Sequence, residues 1–243
     1  MTFDPAAIDA IFLDVGNTLV SMDFALLCEL LATHGVSCTP AALARAEAAT
    51  RPALSRFLAA PARAGWHETF TFYIDGMLAR LGGVAAATRD VLAPRLAAEV
   101  RAKIPTQRLW SVVLPGVPEA LAQLRAAGLT VVAVSNSDGT VEQGLETFGL
   151  RQYLHHVVDS AVVGAEKPDA AIFHHALALA GSAPARTLHV GDLYAVDVLG
   201  ARAAGLHALL LDPHGDWADV DCDVAADVPA LAATIAAGRA DRA

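Results

Sequence analysis

A chain of 243 residues, 55% of them hydrophobic and 18% charged, is long enough to bury a substantial core, in one domain or in a core carrying an insertion. Its net charge of −9 leaves no basic footprint, which argues against nucleic-acid or anionic-membrane partners, so a small anionic ligand would need a locally positive pocket. The three cysteines, Cys28, Cys38 and Cys222, have neither an even count nor the paired short spacing of a zinc site, and they read as ordinary thiols. The start of the chain has no basic stretch or small-residue cleavage site, and no run approaches the roughly 20 apolar residues of a membrane span, so the expected compartment is the cytoplasm.

In chain order, the first element is the apolar run AIFLDV (10–15), which stops at Asp14. Residues 20 to 108 then read as helices with no strand among them: ALLCELLATHG, AALARAEAATRPALSRFL, WHETFTFYIDGMLARLGG and TRDVLAPRLAAEVRAK. After them, LTVVAVSNS (129–137), HVVDSAVVG (156–164), TLHVGD (187–192) and HALLLD (207–212) read as short buried strands. Between these lie PEALAQLRAAG, TVEQGLETFG, DAAIFHHALALAG and VDVLGARAAG, each apolar at helical spacing and closed by a glycine suited to a C-terminal cap. A weak strand (CDVAAD) and a short helix (VPALAATIAA) close the chain. The alternation predicts an α/β fold, a doubly wound parallel sheet built from residues 1–19 and 109–243, with an inserted helical domain at 20–108.

In an open parallel sheet, ligands sit at the carboxyl ends of the strands. Four such ends carry reactive groups: Asp14; Ser135 with Asn136; Lys167, in GAEKPD; and Asp192 with Asp197, in VGDLYAVD. Lys167 is one of two lysines in the chain, the other being Lys103, and a proline follows it.

The ordered set LDVGNTLV, VSNSDG, EKPD and HVGDLYAVDVLGARAAG resembles the haloacid dehalogenase superfamily, in its phosphatase-like branch with a helical cap inserted after the first strand of a Rossmann-like core. The resemblance covers nearly the whole chain. It implies that Asp14 is a nucleophile forming an acyl phosphate, and that Asp14, Asp192 and the main-chain carbonyl of Gly16 hold Mg²⁺, with Asp197 in the outer shell. It places Lys167 beside Asp14 to neutralise carboxylate and phosphate, and gives Ser135, with Asn136 and the amides of the SNSDG turn, to the phosphate oxygens. The implied partner is a small phosphorylated metabolite enclosed by the cap; oligomeric state is not readable from the sequence.

The family's usual first motif is DxDxT, whose second aspartate protonates the leaving alkoxide and later activates water. Here that position is Gly16. General acid–base assistance is worth about 10² to 10⁴ in rate, so its loss need not abolish turnover on an acidic leaving group. Three readings stand side by side. One is a Mg²⁺-dependent phosphatase whose acid–base role has moved, with Asp138 the nearest candidate, or been dispensed with. Another is a relative acting on carbon, of dehalogenase or phosphonatase type. The third is a non-catalytic or regulatory phosphate-binding module. In the helical insertion, Trp66, Phe70, Phe72 and Tyr73 read as packing, Arg51, Arg56 and Arg63 as possible contacts to an anion, and the nine histidines show no chelating spacing.

Overall fold

An apolar run without alternation must be covered on both faces, and β1 (Ala10–Leu13) meets that requirement: all four residues are buried and it has a parallel neighbour on each side. The structure, a computed structural model, describes residues 3–60, 65–218 and 220–240. Arg63 lies outside the described residues.

After β1 the chain runs through β2 (Val20–Met22), then five helices, α1 (Phe24–Thr33), α2 (Pro40–Leu58), α3 (Trp66–Leu81), α4 (Ala86–Lys103) and α5 (Thr106–Leu109). Next come β3 (Trp110–Val113), α6 (Val117–Ala126), β4 (Thr130–Ser135), α7 (Val141–Thr147), β5 (His156–Asp159), α8 (Ser160–Val163) and α9 (Ala170–Ala180). β6 (Thr187–Gly191), α10 (Leu199–Ala203), β7 (His207–Leu211), β8 (Asp223–Ala225) and α11 (Val228–Ala240) complete the order. The chain divides into two compact units, Met1–Ser21 with Ser111–Ala243, and Met22–Trp110.

The first unit holds a six-stranded sheet in the order β5-β4-β1-β6-β7-β8, with every neighbouring pair parallel. Counted among sheet strands only, the spatial order is third, second, first, fourth, fifth, sixth, so direction reverses between β1 and β6, where doubly wound sheets bind ligands. On one face, Phe12, Val132 and Val134 pack with Ile172 and Phe173 of α9 and Ala201 of α10. Each such large side chain taken from water contributes about 1.5–3 kcal/mol. His189 lies opposite Phe12 in the register and meets the Phe173 ring edge-on, at 5.0 Å and 81°.

The second unit is helical. Leu27, Leu43, Leu54, Ile74, Leu78, Leu96 and Val100 are buried in it, and α2 passes close enough to α3 that a Cβ on Gly76 would lie 2.4 Å from Thr50 Cγ2. Among the described residues, no helix is long and apolar enough to cross a membrane.

Two sequence expectations need correction. Residues 20–108 are not free of strand: Val20–Met22 is extended and pairs with β3 in a two-stranded sheet. Three residues carry too little periodicity to be recognised beside long helices. The expected strand 156–164 ends at Asp159, whose side chain accepts the Ala161 N–H at 3.0 Å and starts the helical turn α8, which Gly164 closes at φ +73°. β-branched content suggested a strand there, and a local cap decided otherwise.

Candidate active site

Four segments meet at the carboxyl edge of the sheet. Asp14 follows β1 directly, and its N–H donates to Val190 O on β6 at 2.9 Å, which extends the pairing by one residue. Beyond it the chain turns sharply: Asn17 takes φ +53°, a left-handed conformation that asparagine tolerates better than most residues. Its N–H donates to Val20 O at 2.6 Å, and its Nδ2 donates to Asp192 Oδ2 at 3.1 Å. That bond ties the end of β1 to the residue just past β6.

Lys167 reaches the same edge from the segment after α8. Its main chain is clamped by Asn136, which follows β4: Asn136 Oδ1 accepts Lys167 N–H at 2.7 Å, and Asn136 Nδ2 donates to Lys167 O at 2.9 Å. On the far side Gly200 of α10 allows close approach, since a Cβ there would lie 2.8 Å from Pro168 Cα. The Lys167 ammonium donates to Asp14 Oδ1 at 2.5 Å and to Asp197 Oδ1 at 2.7 Å, with the lysine side chain 2% exposed.

Asp197 is equally enclosed. It lies in a π-helical turn, Tyr194–Val198, that precedes α10, where the sequence reads as a continuous helix. Its Oδ1 also takes the His189 Nε2 contact at 3.0 Å, and its Oδ2 accepts Leu193 N–H at 3.0 Å. The carboxylate sits directly on β6, because a Cβ on Gly191 would fall 2.2 Å from Asp197 Cγ.

Burial pushes the Asp14 carboxyl up to about 6, with Lys167 pulling it down and the Asp197 carboxylate pushing it further up. Burial also works against the charge of Lys167, but the Asp14 and Asp197 carboxylates outweigh it and hold the ammonium above the ordinary lysine value. For Asp197, burial is outweighed by Lys167 and His189, and its pKa is lowered. Burial lowers His189 below the ordinary histidine value, against the pull of the Asp197 carboxylate. The arrangement holds a protected ammonium against a carboxylate oxygen, an electrophile-stabilising charge next to a potential nucleophile.

The other sequence candidates fall as follows. Ser135 ends β4, 6% exposed, and the β1–β4 register carries it level with residue 15, one past Asp14. The turn after it is braced by Asp159, whose carboxylate accepts the N–H groups of Gly139 at 3.1 Å and Val141 at 3.3 Å. Asp138 is exposed in that turn and accepts Thr140 Oγ1 at 2.5 Å. Arg51 does not extend to solvent: it is buried against Glu47, with Nη2 to Oε2 at 2.6 Å, while Arg56 is exposed. Among the described residues, no three or more histidine, cysteine, aspartate or glutamate side chains are gathered as a metal-binding group by themselves.

The family model for haloacid dehalogenase-like hydrolases matches residues 8–205. The chain belongs to this family. The chain is 44% identical over 102 residues to haloacid dehalogenase-like hydrolase domain-containing protein 3 of Bos taurus, a match covering 42% of this chain and 40% of that protein. It therefore spans less than half the length of that relative. It is 31% identical over 166 residues to the ribulose-1,5-bisphosphate 5-phosphatase of Halopiger xanaduensis, covering 60% of this chain and 70% of that one. Its fold is similar to that of the putative HAD-hydrolase YfnB of Bacillus subtilis, solved bound to magnesium, with TM-score 0.64, 17% identity, and 94% and 98% of the two chains covered.

One residue of the site escapes the sequence reading. His189 stands in an apolar strand and looks like a packing residue; its one signal is a polar side chain at a position facing the core. Asn17 reads as a turn residue able to position water, while its reach to Asp192, 175 residues away, has no sequence signature.

Proposed function

We propose that this hydrolase cleaves small phosphate esters with Asp14 as nucleophile and Mg²⁺ as its metal. The observation that carries the reading is the buried Lys167 ammonium, 2.5 Å from Asp14 and 2.7 Å from Asp197. It supplies the fixed positive charge that an anionic nucleophile needs when it approaches an anionic phosphate. The phosphatase named among the relatives supports the same reading, with a phosphorylated metabolite as substrate.

In the first step a carboxylate oxygen of Asp14 attacks phosphorus, and the bond from phosphorus to the ester oxygen breaks. The leaving oxygen keeps the electron pair and takes a proton from solvent. In the second step water attacks the phosphorus of the acyl phosphate, the bond to Asp14 breaks, and the carboxylate is restored with release of inorganic phosphate. Lys167 has three donors; two face Asp14 and Asp197, and the third serves the phosphoryl oxygens. Ser135 completes the phosphate cradle, and the helical unit takes the part of the cap.

The residues fit a hard divalent cation. Asp14 and Asp192, 8% and 4% exposed and each just past one of the neighbouring strands β1 and β6, offer carboxylate oxygens, Gly16 offers a main-chain carbonyl, and an all-oxygen set of few ligands completed by water is what Mg²⁺ prefers. Asp197, with both oxygens already engaged, acts from the outer shell. When bound, the ion offsets the repulsion between nucleophile and phosphate and helps clamp the transferring group.

Because Gly16 leaves no second carboxylate in the first motif, turnover should depend strongly on the leaving group. Purified protein is expected to release phosphate from activated aryl esters only with Mg²⁺, and from alkyl esters about 10² to 10⁴ times more slowly. Metal binding without phosphate release across a broad panel would favour a regulatory module. Halide or aldehyde release would favour chemistry at carbon.

A further inference from the structure

We infer that His189 is a positioning residue, holding the Asp197 carboxylate so that it anchors the Lys167 ammonium beside Asp14. The inference rests on the proposed role of Lys167, and its test separates the two. His189 is completely buried, its Nε2 lies 3.0 Å from Asp197 Oδ1, and that same oxygen accepts Lys167 Nζ at 2.7 Å. Strand β6, the π-helical turn and the lysine segment are thus joined through one carboxylate oxygen.

The cost of the histidine is also visible. Its Nδ1 is buried with no hydrogen-bond partner, and the ring packs edge-on against Phe173, a member of the apolar core. A leucine would fill such a place without an orphaned acceptor, and a buried unsatisfied group is unfavourable. The Nε2–H bond to Asp197 is what the imidazole supplies and a leucine does not. Gly191 serves the same end: with no Cβ, it lets the Asp197 carboxylate lie flat on β6 within reach of both partners.

The experiment compares wild type, His189→Leu and His189→Gln, the last of which can present an amide N–H in place of Nε2–H. Two readouts are needed. One is kcat and KM for an activated aryl phosphate with Mg²⁺. The other is the ammonium signal of Lys167 in protein labelled with ¹⁵N-lysine. With two lysines in the chain and the Lys103 side chain 68% exposed, a signal protected from exchange belongs to Lys167.

For His189→Leu the expected result is a fall in kcat of about ten- to a hundredfold with little change in KM, and loss of the protected ammonium signal. His189→Gln should recover most of both. Thermal stability should not fall in step with turnover, because leucine also removes the orphaned Nδ1. If His189→Leu does not fold, His189→Met takes its place. Wild-type kcat and an unchanged Lys167 signal in the apolar variant, or equal behaviour of the apolar and glutamine variants, would overturn the inference. An inactive wild type whose ammonium signal still follows this pattern would uphold the positioning role while removing the phosphatase reading.

Discussion

Each unit of the molecule buries a charged cluster, and the two are built differently. In the helical unit, Glu47 and Arg51 are one turn apart on α2, joined at 2.6 and 2.9 Å, with the Tyr73 hydroxyl from α3 also donating to Glu47. Charges of opposite sign meet on one helix, as an i,i+4 pair can arrange locally. In the sheet unit, two carboxylates share a single ammonium, and the partners of Lys167 lie 153 and 30 residues away in sequence. A cluster with excess negative charge, assembled from distant segments, is costly to hold unless something else is bound there. Buried charge by itself therefore marks no site; charge gathered from distant segments at the carboxyl edge of the sheet does.

The difference can be broken from either side. Lys167→Met should lower kcat by about 10² to 10³, well beyond any loss of folded protein, because it removes a charge that faces the reacting group. A variant that keeps wild-type kcat would place the chemistry elsewhere. Arg51→Met should instead destabilise the fold by about 3–5 kcal/mol in urea unfolding, since it takes a guanidinium partner from a buried carboxylate, while kcat per folded molecule stays near wild type. The double change Glu47→Leu with Arg51→Met should recover much of that stability. Failure of the double change to recover would mean that the pair does more than cancel its own charge.

Smaller effects sharpen the picture. Gly191→Ala should cost about 1–3 kcal/mol and lower turnover together, because the added Cβ must displace the Asp197 carboxylate, 2.2 Å away. Loss of stability with turnover intact would show that Asp197 can move without releasing Lys167. The smallest shift is expected at Asp212, after β7. Partial burial pushes its carboxyl up, but the N–H groups of Trp217, Asp216 and His214 outweigh it and hold the pKa below the ordinary value. Its contribution to stability is present above the ordinary aspartate pKa near 3.8 and is lost as pH falls through the lowered folded value. Asp212→Ala should therefore cost about 1–3 kcal/mol at pH 7 and progressively less in acid; a difference that did not shrink with acidification would assign the effect to packing.

The sheet was legible because its strands are apolar runs bounded by glycine or polar residues, a pattern set by burial on both faces. Asp14, Ser135, Lys167 and Asp192 were legible as groups just past those runs. What escaped depends on contacts between distant segments. His189 is a core residue by pattern and a donor to Asp197 by geometry, and Asn136 reads as a phosphate ligand although its side chain clamps the Lys167 main chain. The strand Val20–Met22 and the turn at Ser160–Val163 escaped because each spans little more than one period of its pattern, too short for a repeat to show.

The most direct measurement is rapid quenching of the protein during turnover of an activated aryl phosphate with Mg²⁺, followed by peptide mapping for a phosphorylated side chain. The account predicts a phosphoryl group on the peptide bearing Asp14, formed before phosphate is released and absent from Asp14→Asn. Steady turnover with no label on Asp14, or with the label on another residue, would contradict it.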